Sequence, residues 1–255
     1  MSLPKLPDEA ATLTGGCSCG AIRYRIAVPE AGQRPTSPFA PPDLGHVLPT
    51  TILCHCNDCR RHSGSLLPQA FFQTAGHTVT VSVLEAPAPS SNVSTGRFID
   101  VLSADYDQEA ADAARPPYRP ASEVFCALKS QTTSPSYLRF FHSTDTGANL
   151  SRAFCGNCGT PVSFHIKLQA DWCPGEKLPQ QYEDIFDISA GTLDRKWIEA
   201  GWVQVEDEVN WKFGVELGKR ITATADGLRG LVKWNGLGPM EGAADEEELE
   251  ALRNG

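Results

Sequence analysis

Seven of the nine cysteines fall in three short clusters, and that spacing constrains the chain more than any other feature. Cys17-x-Cys19-Gly20 comes first, Cys54-His55-Cys56-Asn57-Asp58-Cys59 second, and Cys155-x-x-Cys158-Gly159 lies far downstream. Packing alone does not call for three thiols this close together. A metal ion does, because zinc takes soft thiolates in a tetrahedral shell and a local pair brings two donors to one point. Glycines beside the cysteines let the backbone turn tightly enough for the thiolates to converge. Disulfides are the rival reading, but CxC and CxxC spacing suits metal better, and Met1 to Asp8 has no apolar signal core. The expectation is a zinc protein of a reducing, cytoplasmic compartment.

Cys17, Cys19, Cys155 and Cys158 together make one closed shell of four thiolates, the form of a structural site. That pairing rests on ligand count, and spacing alone permits other combinations of the seven thiols. Cys54, Cys56 and Cys59 then remain. Three protein ligands with a fourth place open describe an exchangeable or catalytic zinc that a small thiol could enter. A second closed shell, completed by His55, His62, His165 or Asp58, is the alternative. In an extended strand His55 points away from its neighbours, which weakens it as a ligand. Arg60 and Arg61 either are solvated or hold the carboxylates of an anionic substrate. Cys126 reads as a buried structural cysteine among apolar neighbours, and Cys173 as an incidental loop cysteine.

Alternating apolar residues predict strands over 22–28, 50–53, 69–72, 77–83, 137–141, 162–166, 185–188 and 202–205. Short helices are expected over 104–114 and 194–200. Residues 1–12 read as a loose lead-in, and six prolines make 29–49 a surface loop. Residues 85–135 form a second Pro-rich insertion, 216–239 are weakly patterned, and an acidic tail over about 240–255 is expected to fray or to form one or two exposed helical turns. The hydrophobic content of 41% excludes wholesale disorder. A net charge of −9 argues against a general nucleic-acid binder. No apolar run is long enough to span a membrane.

Four ordered motifs carry a resemblance: Gly16-Cys17-x-Cys19-Gly20; Leu53-Cys54-His55-Cys56-x-x-Cys59-Arg60 with Ser63-Gly64; Phe154-Cys155-x-x-Cys158-Gly159-Thr160-Pro161; and Ala190-Gly191-Thr192-Leu193-Asp194. Together they resemble the glutathione-dependent formaldehyde-activating enzyme family, which includes the centromere protein V-like domains. The likeness spans 13–28, 50–84 and 136–215. It implies one mainly β domain over 1–255, of the Mss4-like fold: stacked antiparallel sheets with zinc-binding turns, and short helices in the insertions. It implies a structural zinc on Cys17, Cys19, Cys155 and Cys158, and a labile one on Cys54, Cys56 and Cys59 near a glutathione site. The implied activity is that of a carbon–sulfur lyase forming or breaking a glutathione adduct such as S-(hydroxymethyl)glutathione. Arg60, Arg61 and Ser63 are then the expected substrate anchors, with His55 or His62 as proton donor. A non-catalytic scaffold that binds a partner protein and a thiol redox sensor are the competing functions.

Overall fold

The computed structural model describes residues 6–86, 96, 98, 112–113, 115–126, 136–142 and 149–254. In it Ile22, Tyr24, Ile26 and Val28 are buried along one strand, β2 (Ile22–Val28). β2 pairs antiparallel with β1 (Ala11–Gly16) and β5 (Val79–Val83), and β6 (Arg119–Pro120) closes this four-stranded sheet. The second sheet has eight strands. Its order is β12 (Val232–Lys233), β11 (Val205–Val209), β3 (Thr50–Cys54), β4 (Gln69–Ala75), β10 (Asp184–Ser189), β9 (Pro161–Lys167), β8 (Leu150–Cys155) and β7 (Leu138–Phe141). From β3 to β7 all neighbours are antiparallel, whereas β12 with β11 and β11 with β3 run parallel. The mainly β expectation holds, and the purely antiparallel one is corrected at this edge. β11 reaches β3 from far along the chain, by the long crossover that a parallel neighbour requires.

Both faces of the large sheet are covered. Phe72 and Ile188 on one face join Ile22, Tyr24 and Val81 of the small sheet in the main core. On the other face Ile166 and Ile185 pack with Phe39 and Leu48, which come from the proline-rich 29–49 block. That block is therefore a cover for the sheet, not only a surface loop. Its prolines preclude a ladder while its apolar side chains fill the gap. A strand shielded on both sides needs no polar face, and all six residues of β10 are buried.

Four further expectations change. The lead-in already forms β1 from Ala11, and the late strand begins at Val205, three residues after Trp202. The weakly patterned stretch holds a helix, Glu216–Thr224, as well as β12. The acidic tail takes the helical alternative over Glu246–Asn254 but is not simply exposed, since its Leu249 packs on Trp211 and Ala223. Trp211 Nε1 donates to Glu248 at 3.1 Å, and Lys219 pairs with the same carboxylate at 2.8 Å. Numbered in chain order, the helices are α1 (Asn57–Ser63), α2 (Ala121–Val124), α3 (Arg195–Glu199), α4 (Glu216–Thr224) and α5 (Glu246–Asn254). The acidic helix expected over 104–114 lies outside the described residues except at 112 and 113. No helix among the described residues is long and apolar enough to cross a membrane.

Candidate metal centres

The first thiol group joins the two sheets. Cys17 and Cys19 lie in the turn between β1 and β2, while Cys155 ends β8 and Cys158 lies in the turn that leads to β9. Gly20 (φ +79°) and Gly159 (φ +75°) take the left-handed backbone that closes each turn. Ser18 N–H donates to Thr160 Oγ1 at 3.2 Å, tying one turn to the other. All four sulfurs lie within 4.8 Å of one another. Cys17 and Cys19 stand 3.6 Å apart, and Cys19 and Cys155 3.7 Å. Those separations are too long for a disulfide, which needs about 2.05 Å. They match four sulfurs placed about 2.3 Å from a common ion, which sit roughly 3.8 Å apart. Ile22 N–H donates to Cys17 Sγ at 3.2 Å and Asn157 N–H to Cys155 Sγ at 3.4 Å, so the backbone favours thiolates. The Cys155 thiol bonded to Cys17 holds Cys17 down at about 5. This group could hold a metal ion, and its geometry is compatible with zinc.

The second group sits at the end of β3. Cys54 closes the strand, Cys56 caps α1, and Cys59 lies in its first turn with its N–H donating to Cys56 Sγ at 3.3 Å. Their sulfurs also converge within 4.8 Å, so this group too could hold a metal ion. Among the described residues no fourth Cys, His, Asp or Glu joins them. Without a cation, three adjacent thiols share one charge. Donation from Cys54 and then Cys59 holds Cys56 far below the ordinary thiol value, and the same bonds push Cys54 well above it. A cation between them removes that conflict.

Polar side chains surround the second group. Register places Gln73, Asp187, Phe164 and Arg152 in one row across β4, β10, β9 and β8. Arg152 is buried, lies 4.3 Å over the Phe164 ring, and points a guanidinium nitrogen at Cys59 Sγ from 3.9 Å. Its positive charge also lowers Cys56. Asn210 Nδ2 donates to Cys54 Sγ at 3.4 Å. Gln73 Nε2 donates to Asp187 Oδ1 at 2.8 Å. Burial pushes the Asp187 carboxyl up to about 7, with the Cys56 charge raising it further and Arg152 opposing.

Of the residues expected to act here, His55 points elsewhere. Its side chain is 1% exposed, its Nε2 lies 2.7 Å from Glu208 Oε2, and its ring meets Trp211 edge-on at 4.8 Å. Glu208 also pairs with buried Lys233 at 2.9 Å. Burial alone would raise this carboxyl, but the His55 and Lys233 donors outweigh it and hold it low. His55 thus anchors the end of β3 to β11, and none of His55, His62, His165 or Asp58 completes a fourth ligand. His165 instead bonds Asp184 at 2.7 Å. Arg60 is half-buried and contacts Asn57, Arg61 is exposed, and Ser63 Oγ donates to the Arg60 carbonyl. All three lie on α1 beside the thiols. Cys126 is buried as expected, and Cys173, expected in a loose loop, packs in the second core cluster.

A cavity of about 370 Å³ shares wall residues with the cluster around the second group, though none of its three cysteines lines it. Ile52, Val209 and Trp234 line it and also pack in the cluster that contains Cys54 and Cys59. Sequence reasoning missed Arg152, Asp187 and this cavity. The only available signal was a charge placed inside otherwise apolar strands. No protein-family model matches the chain, and no curated protein matches it.

Proposed function

We propose that the chain is a zinc-dependent carbon–sulfur lyase or synthase acting on adducts of a glutathione-type thiol, working in a reducing, cytoplasmic setting. Cys17, Cys19, Cys155 and Cys158 would hold a structural zinc, and Cys54, Cys56 and Cys59 an exchangeable one. The observation that carries this reading is the convergence of three sulfurs with no fourth donor among the described residues, beside a buried guanidinium. Zinc held by three thiolates leaves a place for an incoming thiol and lowers its pKa.

In the synthetic direction the thiol loses its proton, sulfur forms a bond to a carbonyl carbon, and the carbonyl π pair moves to oxygen, which is protonated. The lyase direction reverses each change. Arg152 offsets the negative charge of the three thiolates and of a fourth as it arrives. Asp187, whose carboxyl is raised to about 7 by burial and lies within electrostatic reach of Cys56, suits the role of holding the proton that moves. Arg60 and Arg61 extend from α1 as anchors for the carboxylates of the thiol, with Ser63 at the end of the same helix. His55, shielded and engaged by Glu208, acts as a positioning residue for Cys54 and Cys56.

Exchange of ¹³C-labelled aldehydes, from formaldehyde to benzaldehyde, with their glutathione adducts, followed by NMR, tests the reading. The wild-type protein should accelerate exchange and Cys56→Ser should not. Equal rates for the two proteins would refute it, and weight would pass to a scaffold role.

A further inference from the structure

The cavity beside the second thiol group is much larger than a one-carbon electrophile needs. It measures about 370 Å³, whereas a water-sized molecule takes only about 30 Å³. That volume falls in the range of small-molecule sites, which begins near 300 Å³. Its position is specific: Val209 pairs with Cys54 across β11 and β3, and Ile52 is two residues from Cys54 on the same strand. Ile52, Val209 and Trp234 are thus a wall shared by the thiol cluster and the cavity, although none of the three cysteines lines the cavity and Cys54 itself lines a separate cleft of about 10 Å³.

The lining also selects by chemistry. Phe39, Leu44 and Leu237 add apolar surface to a half-open cleft that Ser37, Thr50 and Gln73 also line. Its carboxylates are Glu206 and Asp207, His46 also lines it, and none of the lining residues is lysine or arginine. Asp207 is held in place, accepting from Trp234 Nε1 at 3.0 Å and standing 3.4 Å from His46 Nδ1. Carboxylates beside a low-dielectric wall disfavour an anionic guest and favour a neutral or cationic one.

We propose that this cavity receives the carbon group carried on the thiol, and that this group is aromatic or branched apolar, neutral or cationic, in place of a one-carbon unit. The inference rests on the glutathione reading above and names its substrate class.

Affinities of S-methylglutathione, S-benzylglutathione and S-(4-carboxybenzyl)glutathione, unreactive thioethers, measured by calorimetry on the zinc-loaded protein, test it. Burying a phenyl ring should make the benzyl compound bind about tenfold to a hundredfold tighter than the methyl one. The carboxybenzyl compound should lose most of that gain. Val47→Trp places a large ring into the cavity from a partly exposed position on its rim, where Val47 is 36% exposed. It should erase the benzyl preference while leaving S-methylglutathione binding and zinc content unchanged. Methyl and benzyl compounds binding equally to the wild-type protein would overturn the cavity assignment and leave the glutathione reading standing. If no thioether binds, the glutathione reading falls, and benzylamine against benzoate decides the cavity alone. Benzylamine binding that Val47→Trp abolishes would keep it as a site for an aromatic cation. Absence of benzylamine binding would overturn the assignment.

Discussion

Replacing Asp187 with asparagine should stabilise the protein at neutral pH and leave it unchanged in acid. Asparagine keeps an oxygen for the Gln73 amide, which donates at 2.8 Å, and removes the charge. Burial raises the Asp187 carboxyl from 3.8 to about 7, with Cys56 adding to the rise and Arg152 opposing it. The folded state therefore binds this proton more tightly than the unfolded state does. Between about pH 4 and pH 7 rising pH strips a proton that folding prefers to keep, so stability falls across that window and is level above it. Roughly three pKa units at about 1.4 kcal/mol each give an upper bound near 4 kcal/mol. Urea unfolding of the two zinc-loaded proteins at matched pH isolates this contribution, because thiolate protonation cancels in the difference. The variant should match its parent near pH 4 and gain steadily to a plateau by about pH 7.5. A variant less stable at every pH would mean that Asp187 is an ionised partner of Arg152, and the argument from burial would be wrong. The same substitution should lower adduct exchange, since an amide cannot hold and release the proton.

Other perturbations separate the two thiol groups. Cys155→Ser should cost one zinc per chain and several kcal/mol of stability, read as a large drop in melting temperature, because metal-binding free energy at a structural site is folding free energy. Arg152→Met should speed loss of the second zinc to a chelator about tenfold or more, in keeping with the effect of other groups that support metal ligands; unchanged release would remove Arg152 from the site. Ending the chain after Ala244 removes α5 and uncovers Trp211, which is fully buried. Tryptophan emission should shift to the red and stability should fall by about 2–5 kcal/mol, as for other losses of a large core contact.

The parts legible in the sequence are those written in short-range patterns. Ile22, Tyr24 and Ile26 alternate, so β2 is visible, and the CxC and CxxCG turns announce their own convergence. β11 reads Val-Glu-Asp-Glu-Val, and no apolar periodicity marks it as an interior strand. Its buried Glu208 is paid for by His55 and Lys233, distant partners that sequence spacing does not reveal. The same holds for Arg23, buried in β2 and bonded to Asp194 at 2.6 Å and 2.9 Å. Asp194 belongs to the Ala190–Asp194 motif, whose visible contribution is thus to lock the start of α3 onto β2. Phe39 and Leu48 were hidden by the prolines around them, which speak only about backbone hydrogen bonding. Arg152 and Asp187 became site residues only when register aligned β4, β10, β9 and β8.

Zinc per chain, measured by elemental analysis before and after dialysis against reduced glutathione, tests the central claim most directly. Wild-type protein should start with two zincs and fall to one, and Cys54→Ser should start with one and keep it. Two zincs that persist through dialysis would mean a closed second shell, and a single zinc throughout would leave Cys54, Cys56 and Cys59 without a metal. Either result would contradict an exchangeable centre that a thiol can enter.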